Sequence, residues 1–192
     1  SKVNLDHAML CTHGNGHNAR HTAVCRAVEE SARRELDTCI SREQYVPGWA
    51  RARADGGVTE ARLDVVAPGE DGHMRYVDVT IGCTMGNAAK CLACHGTDGS
   101  LARALEREKR RRYPGPGLVP FAIEEGGRLG QDAIDFIRWI CHKRNDDEKG
   151  KAIRAAQRRI SMAVQRYNAR MILGAGYKTA RDTARAAARG GA

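Results

Sequence analysis

The chain has 192 residues, a length that suits one domain with small appendages and is too short for two full ones. Lys and Arg number 32 against 23 Asp and Glu, a formal net charge of +9, which points to a polyanionic partner without separating DNA from RNA or from a merely soluble basic protein. Seven cysteines, an odd number with no hydrophobic leader, argue against a secreted disulfide framework, and no run approaches a bilayer span, so a nuclear or other intracellular protein with no membrane partner is expected.

The start, SKVNLDHAML, reads as a piece cut from a longer chain, and residues 1–19 form a His/Cys-rich segment. Val24, Ala27, Val28, Ala32 and Leu36 recur at helical spacing and predict a first helix over 20–37. EQYVPGW, ARLDVV and RYVDVTIG are short β-branched runs separated by Pro/Gly clusters and predict three strands, the last two joined through APGEDGH. An irregular insertion, CTMGNAAKCLACHGTDGS, precedes a helix over 100–113 that PGPG closes. GLVPFAIE predicts a fourth strand, and two helices follow, LGQDAIDFIRWICHK and a basic amphipathic one over 151–173; the tail over 178–192 has no core-forming residues and is expected to be disordered. The order αβββαβ over 20–145, with C-terminal helices, predicts an α/β fold whose mixed central sheet is flanked by helices.

Two acids sit in the paired strands. Alternation in Tyr76-Val77-Asp78-Val79-Thr80-Ile81 turns Val77, Val79 and Ile81 to one face and Asp78 to the other. The midpoint of Asp64 and Asp78 falls at Asp71 inside PGEDG, so a hairpin sets the two acids opposite one another. Like charges across a ladder cost up to roughly 1 kcal/mol. A hard divalent cation, Mg²⁺ or Mn²⁺, held by both offsets that cost and serves phosphodiester hydrolysis; the alternative is a pair of solvated acids at strand ends. Lys109 shares the inward stripe of its helix with Leu101 and Leu105, where its amine is placed to assist an attacking water, unless it merely snorkels to solvent. Arg20, Arg110 and Arg112 are candidate phosphate contacts, and His21 is either another or a helix cap.

These residues in this order resemble the PD-(D/E)xK nuclease superfamily, in the branch where the catalytic lysine has migrated to the following helix. Within it, the chain resembles the restriction-like endonuclease domain of site-specific non-LTR retrotransposon reverse transcriptases. Arg20-His21 resembles the pair that opens its first helix, Asp78-Val79-Thr80 its second catalytic strand, and Lys109-Arg110-Arg111-Arg112-Tyr113 its K-x-x-K-Y pattern; the customary proline before Asp64 is Leu63, and the second lysine is Arg112. The resemblance implies a restriction-endonuclease-like core and a metal-dependent DNA endonuclease with Asp64, Asp78 and Lys109 as its catalytic set. It also implies nucleic-acid contacts at Arg20, His21, Arg110, Arg112 and Tyr113, and a nick in duplex target DNA that primes reverse transcription, with RNA engaged through a parent chain. A non-catalytic nucleic-acid-binding module on the same fold is the rival expectation.

His7 and Cys11 have zinc-ligand spacing and resemble half a zinc knuckle; Cys91 and Cys94 are candidates to complete a Zn²⁺ site, against the alternative of unliganded thiols. Cys91-Leu-Ala-Cys94-His95 also spells a c-type haem attachment pattern, which no export signal supports.

Overall fold

The computed structural model describes residues 16–83 and 97–189, with side chains through 174. It is a mixed α/β fold. Helix α1 (Gly16–Glu35) leads into β1 (Ser41–Tyr45), a 3₁₀ turn (Pro47–Trp49), β2 (Arg51–Ala52), β3 (Val58–Thr59), β4 (Arg62–Pro68) and β5 (Met74–Gly82). Helix α2 (Ser100–Arg112), β6 (Leu118–Glu124), α3 (Gln131–Ile140) and α4 (Asp146–Arg189) complete the chain. The zinc candidates His7, Cys11, Cys91 and Cys94 lie outside the described residues.

The main sheet has the order β1-β4-β5-β6; β1 and β5 flank β4 antiparallel, and β6 runs parallel to β5. A parallel neighbour requires a crossover, and α2 lies within it. Pro120 is tolerated in β6 because that strand is an edge and its missing N–H breaks no inner ladder. The sequence-derived strand pair is present in the expected register: Val65 pairs with Val77 and Pro68 with Met74, around a turn where Asp71 Oδ1 accepts the His73 N–H.

Alternation along the strands divides the interior. Val65, Ala67, Val77, Val79, Phe121 and Ile123 pack under α1, α3 and α4, which contribute Val24, Val28, Phe136, Ile137, Ile160 and Val164. The opposite face carries α2, whose Leu101, Ala102 and Leu105 rest on Ala122, and a smaller cluster of Ala61, Leu63, Val66, Tyr113 and Leu118. Gly82 lets α2 come close. A Cβ at Gly82 falls 2.8 Å from Leu101 Cδ2 and 2.8 Å from Leu105 Cδ1, a separation that real Cβ atoms do not adopt.

Several sequence expectations shift. The run EQYVPGW is not one strand: β1 ends at Tyr45, and Pro47, with its φ already set near the helical value, starts a 3₁₀ turn. The β2–β3 hairpin was not foreseen, although Asp55-Gly56-Gly57 is a turn signal and Gly56 has φ +80°. Helix α4 continues through Arg189, across the tail expected to be disordered. Lacking core residues does not prevent a helix from propagating. Ala, Lys and Arg are strong helix formers, and the packed half of α4 supplies the costly first turn. Among the described residues no helix is long and apolar enough to cross a membrane.

Gly82→Ala is expected to push α2 off the sheet and cost about 1–3 kcal/mol, the range for overpacking a filled interior. Urea unfolding of the variant measures it, and an unchanged midpoint would contradict the close approach.

Candidate active site

The ladder between β4 and β5 runs only as far as Val65 and Val77, whereas β5 stays paired with β6 from Tyr76 to Gly82. The strands fork there. Asp64 and Asp78 are the next residues on the two strands beyond the fork, near enough for the charge of Asp64 to act on Asp78. The backbone of Val79 lacks a strand partner on the forked side, and side chains replace it. Asp64 Oδ2 accepts the Val79 N–H at 2.8 Å, and the Val79 carbonyl lies 3.2 Å from His21 Nε2.

Since a carbonyl only accepts, Nε2 is the protonated nitrogen of His21. It also lies 3.4 Å from Asp64 Oδ2. His21 Nδ1 is then free in the neutral ring to accept from the Cys25 thiol, 3.6 Å away. His21, on the first turns of α1, therefore orients Asp64, a role between the phosphate contact and the helix cap that the sequence left open. The hydrogen bond to Asp64 raises its pKa above the usual 6.5, ahead of an opposing effect of burial. Burial foremost, then the charge of Asp64, pushes the Cys25 thiol up, so it stays protonated.

Asp78 takes the other side of the fork, facing α2. It is 6 % exposed, and Lys109 reaches it from the last turn of α2, with Nζ 2.9 Å from Oδ1 and 2.8 Å from Oδ2. The inward stripe read from the sequence is present, with Leu101 and Leu105 buried beside it. Burial raises the pKa of Asp78 and the neighbouring charge of Asp64 adds to this, while Lys109 and Arg112 pull it down. Of the two contacts to Lys109, only the one to Oδ1 is aligned as a hydrogen bond; Asp78 Oδ2 and Thr80 Oγ1, on the same face, are buried without a hydrogen-bond partner among the described residues.

Other candidates divide. Arg112 is exposed, packs over the ring of Tyr113 at 5.2 Å and is close enough to act on Asp78. Arg110 is exposed and paired with Asp132 of α3. Two expectations need correction. Arg20 is 2 % exposed and donates to Asn168 of α4, 2.8 Å away, so it ties helices together instead of meeting phosphate. Burial of its guanidinium lowers its pKa. Tyr113 is also buried, stacked on Trp49 at 5.6 Å, because the chain turns inward at the end of α2. The resemblance implied a nucleic-acid contact at this K-x-x-K-Y position, and a packing partner as distant in the chain as Trp49 leaves no local signal.

Glu106 was missed altogether. It is buried and accepts the backbone N–H of Asp132, capping α3 and fixing it to α2. Its i−3 spacing from Lys109 on α2 was the available clue.

Two donor sets are present. The nitrogen, sulfur and oxygen ligand atoms of His21, Cys25 and Asp64 all lie within 4.8 Å of one another, yet Nε2 of His21 is engaged as a donor and the thiol is protonated. Asp64 and Asp78 offer carboxylate oxygens alone, the donor type a hard cation prefers, and Thr80 Oγ1 on the face of Asp78 is a buried oxygen with no hydrogen-bond partner among the described residues. Those residues fit Mg²⁺ or Mn²⁺. Compared with known proteins, the chain matches no family model and no curated protein.

Two outcomes are expected. In metal-free protein the His21 imidazole titrates above 6.5, and Asp64→Asn lowers that value, as followed by NMR. The sign follows from the raised folded pKa: the stability His21 contributes is fully present below its unfolded pKa and is lost as pH rises through the folded one. Lys109→Met leaves Asp78 buried without its cation, at the low end of about 3–5 kcal/mol because Lys109 is partly exposed. A carboxylate with a raised folded pKa disfavours folding only when ionised. The penalty should therefore appear as pH rises above about 4 and shrink below it, in urea titrations at two pH values.

Proposed function

We propose that the chain is a metal-dependent DNA endonuclease domain with a restriction-endonuclease-like core, of the migrated-lysine PD-(D/E)xK kind, that nicks target DNA for reverse transcription by a parent retrotransposon protein. The observation that carries this reading is the reach of Lys109 from α2 to the buried carboxylate of Asp78, one strand across from Asp64 at the fork. Asp64 and Asp78 would hold the cation. When bound, Mg²⁺ or Mn²⁺ lowers the pKa of a water and offsets charge gathering on the phosphate.

In this reading a water oxygen adds to phosphorus as the P–O3′ bond breaks, leaving a 5′-phosphate and a free 3′-hydroxyl, the end a polymerase extends. His21 keeps Asp64 turned into the fork. Lys109 presents an ammonium beside Asp78, where it orients the water and opposes the charge of the pentavalent phosphate. Arg112, exposed at the end of the same helix, holds a neighbouring phosphate. The water's proton passes to solvent or to a phosphate oxygen.

The direct ion pair favours a second reading. Lys109 neutralises Asp78 without a metal, which suits a fold that grips nucleic acid and does not cut it. Supercoiled plasmid decides. With Mg²⁺ or Mn²⁺ the protein is expected to nick it, and Asp78→Asn is expected to slow nicking at least about 100-fold. Equal nicking by the two proteins, or none by either, would remove the nuclease reading and leave the binding module.

A further inference from the structure

Away from the fork, α1 and α4 leave between them an open groove of about 1280 Å³. Six cations line it: Arg159, which donates to Ser31, and a set of five, Arg26, Lys151, Arg154, Arg158 and Arg166. All five are exposed, and none has a hydrogen-bond or ion-pair partner among the described residues. Most other arginines of this protein with an acid in reach are paired. The groove's single acid, Glu30, is already held by Arg34 at 2.6 Å, with Arg159 3.9 Å away. This concentration of unpaired positive charge attracts an anion from outside.

Spacing points to a linear polyanion. Residues 151, 154, 158 and 166 fall on one face of α4, and from Lys151 to Arg166 the helix advances about 22 Å, enough to follow several phosphates. Between the cations the floor is apolar, with Ala23, Met162 and Ala163 in the wall and Tyr167 carrying the Arg170 guanidinium 4.7 Å over its ring. A duplex hides its bases and presents only phosphate to such a surface. An unpaired strand can set phosphates on the cationic rims and bases on the apolar floor, as grooves for single strands do.

We infer that the α1–α4 groove is a second nucleic-acid site, which takes single-stranded DNA. The choice of DNA over RNA rests on the nuclease reading; the groove itself does not. Arg26 lies five residues beyond His21, about 140° round α1, so strand binding and the carboxylate fork occupy different walls of the molecule. One DNA can then be cut as duplex at the fork while an unpaired strand beside it is held in the groove.

The test is fluorescence anisotropy of the full 192-residue chain with labelled oligo(dT) in EDTA, at several salt concentrations. Arg158→Gln with Arg166→Gln should weaken binding about tenfold and reduce the salt slope by about 1.4, near 0.7 for each phosphate contact on a single strand. Arg53→Gln with Arg62→Gln removes the same charge from arginines outside the groove, each paired with a neighbouring acid, and should change binding little. Crosslinks from 4-thiothymidine should map to α1 or α4. Equal weakening by the two double variants would reduce the effect to net charge and overturn the site. So would crosslinks confined to α2, tighter binding of oligo(U) or duplex at the groove, or equal competition by polyglutamate. Plasmid nicking on the same preparation keeps the two proposals apart: absent nicking with a groove-dependent strand affinity removes the nuclease alone.

Discussion

Everything at the candidate site depends on the point where β4 and β5 part. A strand that loses its neighbour exposes an N–H and a carbonyl that must be satisfied, and here Asp64 and His21 satisfy both groups of Val79. The opening that creates this demand also admits side chains and solvent between two strands that are otherwise buried on both faces. Backbone accounting and the placing of two acids at the opening are thus consequences of one topological event. Asp78, just past the fork, keeps a sheet neighbour on the β6 side only, and that neighbour is Pro120, which has no N–H.

The helix on the opposite face makes use of this geometry. α2 is drawn down on β5 where Gly82 has no side chain, and Trp49 packs on Tyr113 at its far end. With both ends seated, Lys109 has little choice of where to place its amine. The ion pair it makes is partly desolvated, and its geometry is fixed by packing that neither partner takes part in. Glu106 extends the same logic to α3, accepting the N–H of Asp132 in its first turn.

Much of this was legible in the sequence, and for identifiable reasons. The β4–β5 register follows from period-2 alternation and a turn with few solutions, so the opposition of Asp64 and Asp78 was available from spacing alone. The inward stripe of α2 follows from 3.6-residue periodicity in the same way. Residues whose surroundings are assembled by distant segments were not legible. Arg20 meets Asn168, 148 residues away, and no local pattern distinguishes it from an arginine that faces solvent. Tyr113 is covered by Trp49, Pro47–Trp49 is a turn because proline overrides the β-branched run, and the α4 extension needs nucleation by the packed half of the helix as well as its own helix-forming composition. The groove between α1 and α4 likewise needs both helices in place before its charges add up.

The aromatic residues divide between the two faces of the sheet. The chain has two tryptophans. Trp49 is set edge-on to Tyr76 and stacked on Tyr113, on the side where α2 ends, whereas Trp139 packs against Phe136 in the helical layer, with the Arg75 guanidinium over its ring. Their emission is therefore spatially sorted by the architecture itself. A chain retaining Trp49 alone carries a native optical reporter at the foot of the lysine-bearing helix, and one retaining Trp139 alone reports from the opposite layer.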